Sequence, residues 1–178
     1  MEIDEDNWIC DERTDVLNGH SGTVWCIGWP LVESFSNYMT SCGDDDTIAL
    51  WHLESEENEK MEVENEENEA SQKKIKKWTL KQQLKTPHFR PIYHLDWSLP
   101  IDIEKNECKS VLLTCSGDNN IISYSLSPSS NNLKIEQQIL GAHDSDVNCV
   151  KWNPNPNFKN LFVSVSDDRS IKLWEYVQ

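Results

Sequence analysis

A hydroxyl, an imidazole and a carboxylate recur together in this chain at fixed offsets. His20, Ser41 and Asp45 make one group, His88, Thr114 and Asp118 a second, and His143, Ser164 and Asp168 a third. In each group the hydroxyl residue lies four positions before the Asp, and an aromatic (Trp51, Tyr124, Trp174) lies six positions after it. A Trp also follows each His by nine positions, at Trp29, Trp97 and Trp152. Ser, His and Asp are the parts of a hydrolase triad, in which the imidazole takes the hydroxyl proton and the carboxylate orients the imidazole. A triad is needed once, in one cleft. Three copies at matched offsets point instead to a structural use. A buried imidazole, carboxylate and indole are each costly alone, and together they satisfy one another. No residue is assigned a catalytic role.

The elements that must hold these groups are short strands. The copies recur after 68 and 55 residues, the mark of a repeat architecture. Runs rich in β-formers occupy Thr23–Trp29, Tyr38–Cys42, Thr47–His52, Trp78–Leu84, Ile92–Trp97, Val111–Cys115, Asn120–Leu126, Leu133–Ile139, Val147–Trp152, Leu161–Val165 and Ser170–Tyr176. With a further run ending at Val16-Leu17 they predict about twelve strands and an all-β fold, and no segment keeps a helical period. Residues 1–52 hold the first repeat, 78–126 the second and 127–178 the third. Residues 53–77 interrupt the pattern as an insertion. Nine Glu lie between Glu54 and Glu69, and Lys73, Lys74, Lys76 and Lys77 follow, a composition that reads as a solvated, disordered loop.

Composition narrows the function classes. A formal charge of −15 argues against a nucleic-acid backbone as partner, because phosphate binding needs clustered Lys and Arg. No apolar run approaches the length of a membrane span, and no secretory signal is evident at the N-terminus. The six cysteines (Cys10, Cys26, Cys42, Cys108, Cys115, Cys149) include no Cys-x-x-Cys pair. Cys26, Cys42, Cys115 and Cys149 lie in apolar strand-like runs and read as small reduced hydrophobes; ligation of zinc or an iron–sulfur cluster would need several thiolates to converge in space, and neither a metal nor a cofactor is expected.

The repeats resemble the WD-repeat β-propeller family, whose units carry Gly-His near the start and Trp-Asp at the end. Gly19-His20, Pro87-His88 and Ala142-His143 stand at the first position; Trp51-His52, Tyr124-Ser125 and Trp174-Glu175 stand at the second. The closing Trp is thus kept twice, and the final Asp is absent from all three. The resemblance implies hydrogen-bonded sets of His20, Ser41, Asp45 and Trp51, and of His143, Ser164, Asp168 and Trp174. The set of His88, Thr114, Asp118 and Tyr124 is weakened, because Tyr124 has no indole N–H. Propellers close with typically four to eight blades. Three repeats make an incomplete ring, so the chain is expected to be the C-terminal part of a seven-bladed propeller with an authentic C-terminal end. In that arrangement the strand ending at Leu17 serves a preceding blade, and the last blade lacks its outer strand.

Residues Asp6–Cys10, Val16–His20, Gly22–Trp25 and Val147–Trp152 are more specifically similar to the last three repeats of the cytosolic iron–sulfur protein assembly scaffolds, in their fungal form. That similarity implies a non-catalytic scaffold with no cofactor of its own. It would dock a hydrogenase-like iron–sulfur carrier and targeting subunits, and bring them apo-protein clients of the cytoplasm and nucleus. The alternative is a WD-repeat adaptor of a chromatin, RNA-processing or ubiquitin-ligase complex.

Overall fold

The computed structural model describes residues 17–55, 76–103, 107–127 and 131–177. Among them are twelve strands, two single turns of 3-10 helix at Glu33–Phe35 and Pro156–Phe158, and no α-helix. The strands build three antiparallel sheets. The first runs in the order β1 (Val24–Gly28), β2 (Tyr38–Gly43), β3 (Thr47–Ser55), β4 (Lys76–Lys85). The second orders β5 (Ile92–Trp97), β7 (Glu107–Ser116), β8 (Ile121–Leu126), β9 (Leu133–Ile139), with β6 (Ile101–Ile103) paired to the far end of β7. The third holds β10 (Val147–Trp152), β11 (Leu161–Ser166) and β12 (Ile171–Glu175). These are propeller-like blades. Each His leads into the first strand of a sheet, and in the first two sheets the outer strand is supplied by the segment that opens the next repeat.

The repeats share their irregularities as well as their strands. Pairing slips by one residue at the same place in each innermost strand, between Val24 and Cys26, between Ile92 and His94, and between Val147 and Cys149. The extra residue of such a bulge leaves the ladder unpaired. Trp25, Tyr93 and Asn148 occupy that position.

Apolar side chains seal the sheets face to face. Cys42, Ile48 and Leu50 of the first sheet pack against Ile92, Leu95, Trp97, Leu112 and Ile122 of the second. Val111, Leu113 and Ile121 of the second sheet pack against Val147, Val150, Trp152 and Phe162 of the third. A polar link crosses each seam. The Trp97 indole N–H donates to Thr40 Oγ1 over 2.9 Å, and Asp96 accepts from the Trp152 backbone N–H at 2.7 Å and from Lys151 Nζ at 2.5 Å. The Trp152 indole N–H is buried without a partner. The residue at the repeat position of Thr40 is Leu113 in the second sheet, which offers no acceptor.

Two features differ from the sequence expectation. The hairpin of β6 and the lengthened β7 was not foreseen, because Lys105, Asn106 and Glu107 break the apolar alternation between its arms. The β3–β4 ladder also enters both ends of segment 53–77, with Glu54 opposite Lys77 and Ser55 opposite Lys76. Opposite charges facing each other across a ladder support pairing that hydropathy does not signal. The remainder of the acidic and basic insertion, 56–75, lies outside the described residues, as do the predicted strand before Leu17 and Cys10. Leu17 itself packs against Met39, Ala49 and Trp51.

Candidate functional site

Each group of His, hydroxyl and Asp comes together inside one sheet. In the first, His20 Nδ1 lies 3.1 Å from both carboxylate oxygens of Asp45, and His20 Nε2 lies 2.8 Å from Ser41 Oγ. The Trp51 indole N–H donates to the same Ser41 Oγ at 2.9 Å. In the third, His143 Nδ1 is 2.8 Å from Asp168 Oδ2, His143 Nε2 is 2.7 Å from Ser164 Oγ, and Trp174 Nε1 donates to Ser164 Oγ at 2.8 Å. In the second, His88 Nδ1 is 2.9 Å from Asp118 Oδ2 and His88 Nε2 is 2.9 Å from Thr114 Oγ1.

For a neutral imidazole the donor and acceptor inventory permits one consistent assignment. An ionised carboxylate only accepts, so Nδ1–H donates to Asp; an indole only donates, so the Ser oxygen accepts from Trp. The Ser hydroxyl proton is then directed at Nε2. Tyr124 takes the place of the indole in the second set, and its hydroxyl is buried beside Thr114 and Thr86 with no well-formed hydrogen bond. Burial pushes that phenol well above its ordinary range.

Local backbone aims the carboxylates. The residue after each Asp (Asp46, Asn119, Arg169) has φ of 55°, 68° and 69° respectively, the left-handed position of a tight turn. Each Asp thereby faces backbone N–H groups of both the His segment and its own turn. Asp45 accepts from Ser21 and Thr47, Asp118 from Phe89 and Asn120, and Asp168 from Asp144 and Ser170. Burial pushes the Asp45 carboxyl up, but the N–H of Ser21, His20 and Thr47 outweigh it and bring it down to about 2. Asp118 is lowered in the same way, burial being outweighed by His88 and the two backbone donors. The Ser170 hydroxyl leads the donors that lower Asp168.

Thr47 and Ser170 are members that the sequence reading missed. Both lie two residues after the Asp, and their hydroxyls donate to its Oδ1 at 2.8 and 2.7 Å. A hydroxyl at that spacing was a usable signal, since Ser and Thr commonly bond back across such a turn. Gly19 explains the residue before the first His. A Cβ there would stand 2.7 Å from the Trp51 ring.

The Ser–His–Asp connectivity is that of a triad, and the access is not. Thr114 and Ser164 are fully buried, and Ser41 nearly so. Ser41 and Ser164 each carry an indole where a substrate carbonyl would have to approach. Among the described residues, no group of three or more His, Cys, Asp or Glu is placed to hold a metal ion. Burial raises the Cys42, Cys115 and Cys149 thiols, which makes them poor thiolate ligands. No helix among the described residues is long and apolar enough to cross a membrane.

Bulged inner strands, matched turns and repeated His–Asp–hydroxyl sets recur from sheet to sheet, and two stretches of the chain match WD40 repeats. The family model for the WD domain, G-beta repeat matches residues 11–52 and 134–175, which are the first and third copies. The relatives are more specific. A probable cytosolic iron-sulfur protein assembly protein CIAO1 homolog of Dictyostelium discoideum is 39% identical over 105 residues, 58% of this chain and 28% of that protein. The probable cytosolic iron-sulfur protein assembly protein 1 of Candida albicans is 26% identical over 185 residues, 98% of this chain and 44% of its own. The corresponding Ciao1 protein of Aedes aegypti is 29% identical over 167 residues, 91% and 43%. The chain therefore spans less than half the length of these curated relatives.

Proposed function

We propose that this chain is a non-catalytic, protein-binding part of the cytosolic iron–sulfur protein assembly machinery. The observation that carries the reading is similarity along nearly the whole chain to relatives bearing that name. The sealed hydroxyls support a scaffold over a hydrolase, since a nucleophile held between an indole and an imidazole has no face left for substrate. The three hydrogen-bonded sets act as internal braces of the blades, and the partners are proteins: a hydrogenase-like cluster carrier, targeting subunits, and the apo-proteins they serve. The cluster is cargo of that machinery, and the protein works in the cytosol with clients there and in the nucleus.

Depletion of the gene product tests this. Cytosolic iron–sulfur enzyme activities are expected to fall while mitochondrial ones hold, and co-purification is expected to recover a hydrogenase-like carrier. Unchanged cytosolic activities, with a chromatin, RNA-processing or ubiquitin-ligase complex on the bait, would replace this function with a different adaptor role.

A further inference from the structure

One cross-strand position recurs just after the bulge in the first strand of each sheet. It pairs Cys26 with Cys42 in the first sheet, His94 with Cys115 in the second and Cys149 with Val165 in the third. Among these three pairs, only the first sets two thiols opposite each other, and both are free. Cys42 is fully buried in the core between the first and second sheets, and the partly buried Cys26 packs against the same core. Their sulfurs point the same way, toward β5. Cys26 Sγ lies 3.7 Å from the Leu95 carbonyl oxygen, and Cys42 Sγ lies 3.5 Å from that of Ile92.

Geometry decides whether such a pair can bridge. Residues directly opposed across an antiparallel ladder carry their Cβ atoms about 4.5–5.5 Å apart. A disulfide needs about 3.5–4.5 Å, so the two strands have to close by roughly 1 Å. The one-residue slip between Val24 and Cys26 gives β1 room to do so, because a bulged strand is untied at its extra residue. A bridge made by drawing the strands together is strained, and strained disulfides are the readily reduced ones. Access differs between the two thiols. Cys26 lines a cavity of about 290 Å³ with Gly28, His94, Asp96 and Lys151, ample for hydrogen peroxide, which is little larger than water. Cys42 has no exposed surface, and burial pushes its thiol well above the ordinary range. Oxidant therefore reaches Cys26, and Cys42 meets only Cys26.

We propose that Cys26 and Cys42 form a reversible thiol–disulfide switch driven by hydrogen peroxide. The Cys26 sulfur attacks one peroxide oxygen; the O–O bond breaks, Cys26 becomes a sulfenic acid and one water leaves. The Cys42 sulfur then attacks the Cys26 sulfur. The S–S bond forms, the S–O bond breaks, and the hydroxyl leaves with the Cys42 proton as a second water. The two thiols give up two electrons, and the peroxide takes them. A dithiol reductant restores both thiols by exchange. The bridge turns both sulfurs away from the Leu95 and Ile92 carbonyls, so oxidation loosens the first seam where β1 and β2 meet β5. The switch does not depend on the iron–sulfur assembly role and can fail without it.

Peptide mapping by mass spectrometry tests it on the protein purified from its source, treated with peroxide while folded, and blocked at its remaining thiols before digestion. The expected product is a Cys26–Cys42 cross-link that a thioredoxin-type dithiol removes, with Cys115 and Cys149 still thiols. Cys42→Ser is expected to leave Cys26 as a sulfenic acid that dimedone captures, and Cys26→Ser to leave Cys42 unreacted. In the unsubstituted protein, a cross-link to any other cysteine, a Cys26 that passes on to sulfinic acid, two thiols that stay unreacted, or a bridge that the dithiol leaves intact would overturn the proposal.

Discussion

Replacing Asp118 by Ala isolates what one set contributes. Asp118 and His88 face each other at 2.9 Å with both side chains inaccessible to solvent. Ala leaves the His88 Nδ1–H and the Asn120 backbone N–H without their acceptor, while Thr114 still holds Nε2. A buried donor stripped of its partner costs roughly 1–3 kcal/mol. With a urea slope of about 1–3 kcal/mol per molar, the unfolding midpoint should move down by roughly 0.5–2 M with the slope unchanged. Asp118→Asn keeps an acceptor oxygen at the same place and should lose less than the Ala variant. The pH dependence carries a second check. The folded carboxyl is lowered, so its stabilising share is complete above the unfolded value near 3.9 and is lost as pH falls through the folded value. The gap between wild type and Asp118→Asn should therefore hold between about pH 5 and 7 and close below about pH 4. Coincident urea curves for wild type and Asp118→Ala at pH 7 would refute the reasoning, because His88 would then have no need of the carboxylate.

Three further outcomes follow from the same geometry. Asp45, brought down to about 2, should retain its stabilising share down to about pH 4 and lose it progressively toward pH 2, read as Trp fluorescence against Asp45→Asn. Tyr124→Phe removes a buried hydroxyl that lacks a well-formed hydrogen bond, so thermal stability should be unchanged or raised, by up to about 1 kcal/mol; a clear loss would mean the hydroxyl is bonded. Trp97→Phe gives up the bond to Thr40 across the first seam, whereas Trp152→Phe gives up none, so Trp97→Phe should cost about 1 kcal/mol more in denaturant titration.

Sequence alone determined the repeats, because each set depends on residue types at short, fixed offsets. The Asp-led turns, the strand before each and the closing aromatic are local features, and Ser41, Asp45 and Trp51 are legible as a unit without coordinates. It also marked Tyr124 as the weak member from its chemistry. What sequence did not carry was chemistry assembled across distance. That Thr47 and Ser170 complete their carboxylate shells depended on a turn with one left-handed residue. The β6–β7 hairpin escaped because charged strand positions have no hydropathy signal. Only the stacking of the sheets decided which apolar residues are core. Ile48, Ile121 and Ile171 are the same residue at the same repeat position, and the first two are buried while the third is bare. Burial depends on whether a neighbouring sheet and an outer strand cover the site, which the residue's own sequence neighbourhood does not encode.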